Sequence, residues 1–127
     1  MERGIEIFAA INFMIIGASH VFQPRAWAEF FVRLQGLGKP GAFANGFLSL
    51  FMGSLIVAFH NIWSGPGLLL TALGYAMVIK AAIVFVRPDL GLASMSRVTL
   101  EESRKFTIAG LLFIAVALIL GYSVWQA

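Results

Sequence analysis

The chain has no cysteine, so it carries no disulfide framework and no thiolate metal site. Charge is nearly as scarce: 12% of its 127 residues are Asp, Glu, Lys or Arg, about half the ~25% usual for soluble domains. The nucleophile-elbow pattern GxSxG, the zinc helix HExxH and a glycine-rich phosphate loop are missing too, which removes the common sequence warrants for an enzyme. No catalytic residue is assigned, and enzymatic activity is not the expectation. No HxxxH or Glu-x-x-His pattern accompanies His20 and His60, so neither a metal nor any other cofactor is expected.

What is abundant is apolar surface. Hydrophobic residues make up 60% of the chain, and the mean hydropathy is +0.90. A soluble protein of this composition would expose large apolar patches and aggregate. A lipid-facing exterior removes that difficulty, so the expected class is a single integral membrane domain over residues 1–127. The net charge of +3 does not point to nucleic acid, because the basic residues flank apolar runs rather than cluster on a polar face. The first residues hold two acids against one arginine, and no A-x-A follows the apolar run. They read as a retained helix rather than a secretory signal.

A hydrocarbon core about 30 Å thick takes roughly 20 apolar residues per helix. Four segments qualify, at about 4–22, 41–61, 66–86 and 100–125. The expected fold is therefore all-α: four transmembrane helices in an antiparallel bundle. "PRAWAEFFVRLQG" places Trp27, Phe30, Phe31 and Leu34 on one stripe away from Arg25, Glu29 and Arg33, the pattern of a short interfacial amphipathic helix. "TLEE", Thr99 to Glu102, reads as a capping box opening the fourth span.

Seven basic residues (Arg25, Arg33, Lys39, Arg87, Arg97, Arg104 and Lys105) lie in the two longer loops, against Arg3 alone on the opposite side. The positive-inside rule makes those loops cytoplasmic and puts both termini on the outer side of the membrane. A shift of 64 residues aligns Pro24 with Pro88, Arg33 with Arg97 and Gly46 with Gly110, compatible with two parallel helix-hairpin repeats.

Small and polar residues mark where helices meet in lipid. The expected seams are Asn45, Ser49, Gly53, Ile56 and His60 on the second span, and Thr71, Gly74, Val78 and Ala82 on the third. Ser103, Thr107, Gly110, Ala117 and Gly121 form one on the fourth, and Asn12, Ile16 and Ser19, with His20 beside them, a weaker one on the first. Glu6 is expected to reach the headgroups, and His60 to serve as an interfacial cap. Asn12, Ser19, Asn45 and Ser49 are candidates to line one polar pocket.

"LGYAMVIKAAIVFV", residues 73–86, holds the most informative charge, Lys80. A lysine at mid-bilayer costs about 2.5–3.5 kcal/mol on insertion scales. Lys80 lies about 10 Å inside the boundary at Arg87, at 1.5 Å per residue, and its side chain leans deeper. Helical geometry sets it about 180° from Thr71, opposite that span's seam. It therefore faces a neighbouring subunit, an anionic lipid headgroup or thinned membrane, or else turns inward to Asn45, His20 and Ser19.

"QPRAW", "HNIW" and "GYAMVIKAAIVFVRP" resemble segments of small uncharacterised bacterial four-helix inner-membrane proteins. That resemblance implies fold and location and supplies no activity. The chain lacks the Thr-Phe-Ser filter of four-span fluoride channels and the central first-span Glu of small multidrug transporters. Two functions remain. One is an accessory or assembly subunit of a larger membrane complex, or a homo-oligomer, with lipids, other membrane subunits or itself as partners. The other is a small transporter or channel with a polar site around Lys80.

Overall fold

The computed structural model describes residues 2–126 as six helices: α1 (Glu2–Phe22), α2 (Pro24–Gly36), α3 (Lys39–Phe59), α4 (Gly67–Val86), α5 (Pro88–Met95) and α6 (Arg104–Gln126). Helix accounts for 85% of the described residues, with no strand among them. Four helices (α1, α3, α4 and α6) are long and apolar enough to cross a membrane, as in a multi-pass membrane protein. Backbone groups in lipid must be satisfied within the segment, which is why these runs take helical form.

Proline sets three of the starts. Pro24 and Pro88 open α2 and α5, and Pro40 sits in the first turn of α3, where its missing N–H costs nothing. Gly38, at φ +74°, makes the sharp reversal between α2 and α3. Arg87 ends α4 and forks onto both oxygens of Asp89, at 3.1 and 2.9 Å; that hydrogen bond holds the Asp89 carboxyl below its ordinary range. The capping box is half formed. Glu102 N–H donates to Thr99 Oγ1 at 3.3 Å, but the Glu102 carboxylate turns to Lys105 instead of back to Thr99. A tight lead-in turn at 101–103 results, and α6 starts at Arg104.

The spans pack as two pairs, α1 along α6 and α3 along α4, with few contacts from one pair to the other. Hydrophobicity cannot choose these faces, because lipid is as apolar as the helices; close backbone approach does. A Cβ added at Gly17 would lie 2.8 Å from the Gly110 carbonyl oxygen, and one at Gly110 would lie 2.6 Å from that of Gly17. In the other pair, a Cβ at Gly53 would come within 2.8 Å of the Met77 Cβ, and one at Gly74 within 2.5 Å of the Ile56 side chain.

The second-span seam is buried along its whole length, from Asn45 to His60. The other three shift. On α1 the buried stripe is Glu6, Ala9, Phe13, Gly17 and His20, so Asn12, Ile16 and Ser19 flank it. Thr71 and Gly74 begin the α4 seam, but Ala81 and Val84 continue it where Val78 and Ala82 were expected. On α6 Gly110 and Ala117 are buried while Gly121 is open. The cause on α4 is a cover at the basic end, where Val84 packs with Leu34 of α2, Ala42 of α3 and Met95 of α5. The sequence reading had no α5.

The 64-residue shift carries α1, α2 and α3 onto α4, α5 and α6. Phe22 falls on Val86, where α1 and α4 end, and Pro24 falls on Pro88. All three buried residues of α6 (Gly110, Ala117 and Leu120) correspond to buried residues of α3: Gly46, Gly53 and Ile56. Their contacts correspond too. Gly46 packs on Val84 and Phe85, and Gly110 packs on His20 and Val21, the residues 64 earlier. The repeating unit is thus span, proline-led short helix, span, and the halves are related by a pseudo-two-fold.

Filling these close approaches should cost stability. Gly110→Ala or Gly74→Ala is expected to lose about 1–3 kcal/mol by overpacking in detergent unfolding assays. Gly121→Ala, with nothing within 4 Å, should be near neutral.

Candidate functional site

The polar residues gather in three places. At the basic end, where α2 and α5 sit, the two pairs separate around an open cavity of about 620 Å³. Its walls are mostly apolar: Phe31, Ile79, Ile83, Val84, Met95 and Phe106 contribute from four helices. Lys80, Asn45 and Ser94 are its polar lining. Two of the sequence candidates, on different spans, therefore share one space. Lys80 is exposed, and Asn45 is buried at the cavity wall. Because the α4 seam rotates to Ala81 and Val84, Lys80 stands at the edge of the packed face rather than opposite it.

The remaining candidates do not join them. Ser49 is buried one turn from Asn45, outside this lining. Asn12 donates to the Phe8 carbonyl of its own helix at 2.9 Å. Ser19 accepts a hydrogen bond from Trp27 Nε1 at 2.8 Å, which pins α2 to the end of α1. His20 is buried under Trp27, stacked at 4.1 Å between ring centroids, with Phe106 and Phe113 of α6 also against it. Its Nδ1 lies 2.8 Å from the Ile16 carbonyl, which only accepts, so Nδ1 carries a proton. Phe106 touches His20 and also lines the cavity, stacked on Phe31 at 5.7 Å. The single pocket of Asn12, Ser19, Asn45 and Ser49 is therefore not formed.

Trp27 also marks a difference between the two halves. The 64-residue shift carries Ile83, Leu90, Gly91 and Ser94 of the cavity onto Ser19, Ala26, Trp27 and Phe30. Those four line a shallower hollow of about 330 Å³ at the corresponding place. Indole and phenyl rings stand there where the other half has only Gly91 and Ser94. One half is plugged; the other is open.

The third cluster lies at the opposite end of the bundle, and the sequence reading missed it. Glu6 and His60, expected at the headgroups and as a cap, are both buried, His60 completely. His60 does end α3, but its ring turns inward. Nε2 is 3.0 Å from Glu6 Oε1, and Nδ1 is 2.9 Å from Thr71 Oγ1. Thr71 Oγ1 also receives the Ile62 N–H at 3.1 Å and lies 2.8 Å from the Ile62 carbonyl and 3.2 Å from that of Gly67. With its one proton directed to a carbonyl, Thr71 accepts from His60 Nδ1–H. The other ring nitrogen, Nε2, meets the Glu6 carboxyl, so both polar ends of the imidazole are satisfied inside the bundle, as burial requires.

The order carboxylate, imidazole, hydroxyl imitates a nucleophilic triad. Here, however, the hydroxyl is fully buried and its hydrogen-bonding capacity is spent on the backbone, so it has no access to a substrate. The cluster is a clasp that ties α1 to the turn between α3 and α4.

Comparison with family models, with curated proteins and with solved structures finds no match to the chain. The geometry alone bears on its function. No group of three or more His, Cys, Asp or Glu side chains that would hold a metal ion occurs among the described residues.

Breaking the clasp from one side should be severe. His60→Ala leaves a buried carboxylate without a partner and is expected to cost about 3–5 kcal/mol in detergent unfolding. Replacing both ends, Glu6→Leu with His60→Leu, should recover much of that loss, since the desolvation of two polar groups disappears with them.

Proposed function

We propose that the chain is a small multi-pass protein of the bacterial inner membrane that holds a ligand around Lys80 and Asn45, as a small transporter or channel does. One observation carries this reading. Two polar residues from different spans open on the same otherwise apolar cavity, at the end of the bundle rich in Lys and Arg. Cavities of about 300–1,000 Å³ with few convergent polar groups are the usual form of small-ligand sites. A charged residue within a span ordinarily faces a bundle interior, a cavity or a partner, and marks a pathway or binding site.

In this reading the basic end, with α2 and α5, is cytoplasmic and both termini are periplasmic, in keeping with seven basic residues against one. The absence of cysteine makes the test direct. Ser64→Cys should react with a membrane-impermeant maleimide on intact cells, and Ser96→Cys should react only after the inner membrane is permeabilised. The reverse pattern inverts the topology.

A partner reading has its own support. A second groove, of about 460 Å³, runs along the outer face of α1 and α6, where Gly121 leaves open space beside Ile11, Met14 and Leu118. A helix of a second copy, or of another membrane subunit, would fill it. Native mass spectrometry in mild detergent separates the two. A retained small molecule lost in both Lys80→Met and Asn45→Ala supports the ligand site. A stable assembly indifferent to Lys80 and broken by Gly121→Trp supports the accessory or homo-oligomeric role.

A further inference from the structure

The chemistry of the cavity narrows its occupant, and the inference that follows rests on reading the cavity as a ligand site. We propose that it takes one long-chain carboxylate, with the head at Lys80 and Asn45 and the hydrocarbon chain along the isoleucine and phenylalanine walls.

The cavity has a single cation. Lys80 is its only charged residue, and Asn45 and Ser94 add neutral hydrogen-bonding groups. A carboxylate brings one negative charge and two oxygens, so the ammonium and the Asn45 amide each meet one oxygen and the site closes neutral. The walls then select the rest of the molecule. A free inorganic anion has no chain to lay against Ile79, Ile83 and Phe106, and those walls offer it no hydrogen bond.

Depth separates a carboxylate from a phospholipid. Lys80 lies six residues before the end of α4 at Val86, about 9 Å inside that end. Its side chain leans further toward the helix N-terminus. A carboxylate is small enough to follow it there on a bare chain. A glycerophosphate head would bring ester and phosphate oxygens against the isoleucine walls. The chain itself gains little over bulk lipid, whose tails are equally apolar. Selectivity therefore comes from the head, and the cavity shape limits the number of chains. The plugged counterpart supports this division, because Lys80 corresponds there to Ile16 and Ser94 to Phe30. The half with the smaller hollow is also the half without the charge.

The test uses the full chain in phosphatidylcholine nanodiscs, with palmitate ¹³C-labelled at its carboxyl as the probe. Native mass spectrometry should show one palmitate per chain, and the labelled carboxyl resonance should shift on binding. Lys80→Met should weaken binding at least about tenfold, and Lys80→Arg should largely preserve it. Hexadecanol, of the same chain length without the charge, should bind at least about tenfold more weakly. Ser94→Phe leaves Lys80 in place but fills the space as Phe30 does in the other half, and should also abolish binding. It serves if Lys80→Met does not fold. Equal binding of hexadecanol, or palmitate binding unchanged in a folded Lys80→Met, overturns the proposal. If phosphatidylglycerol or inorganic phosphate binds in a Lys80-dependent manner and palmitate does not, the carboxylate assignment falls while the ligand site stands. If none of the three binds, both fall.

Discussion

The hydrogen-bonded chain from Glu6 through His60 to Thr71 is the constraint on which the rest of the bundle depends. Within each pair of spans, glycines let two backbones approach closely, and that contact is self-sufficient. Between the pairs no such glycine seam exists. What joins them directly is one cluster of apolar residues (Ala9, Phe13, Ile56, Leu70, Ala117 and Leu120) and, at its end, the clasp, while α2 bridges them at the basic end through Trp27, Phe31 and Leu34. Packing in lipid is weakly directional, whereas a buried carboxylate and imidazole accept only one geometry. The clasp fixes where α1 stands relative to the α3–α4 turn, and so fixes the opposite end, where the pairs part.

This arrangement places stiffness and opening at different ends of the same helices. The clasped end is closed by side chains that lose heavily if separated. The basic end is covered by α2 and α5, short helices held by Trp27 on Ser19, by Phe31 on Phe106, and by Leu34, Val84 and Met95 packed together. Aromatic and aliphatic contacts of this kind slide at lower cost than a buried carboxyl–imidazole hydrogen bond breaks. The cavity lies beneath the part of the structure best able to adjust.

Much of the frame was legible in the sequence because it depends on quantities a sequence carries. Run length gave the four spans, and the stripe of Trp27, Phe31 and Leu34 gave α2. Rotation about each helix axis was not legible. A span that is apolar all round has almost no polar face to orient it, so the seams on α1 and α4 emerged only with their partners. Glu6 was misread because its depth suggested the headgroups, and the partner that buries it is 54 positions away. The signal available was that Glu6, His60 and Thr71 all lie within a turn or so of the same membrane boundary. Helix α5 was hidden because its sequence has little amphipathic contrast, although the alignment of Pro88 with Pro24 pointed to it. Lys80 and Asn45 were legible because a polar group inside an apolar run is conspicuous, and a shared site for them was one of the alternatives for Lys80; the apolar walls of that cavity were not legible, since they require the parting of the pairs.

The pseudo-two-fold frame carries almost none of this polarity. Glu6 corresponds to Leu70, His60 to Val124, Asn45 to Ala109 and Lys80 to Ile16. Backbone shape repeats while chemistry does not. In a dimer of identical halves every cavity would occur twice, and the pair would look the same from either side. A single chain that plugs one hollow with Trp27 and leaves the other open has a front and a back within the plane of the membrane. Asymmetry is therefore built into each molecule, where a symmetric pair would have to acquire it.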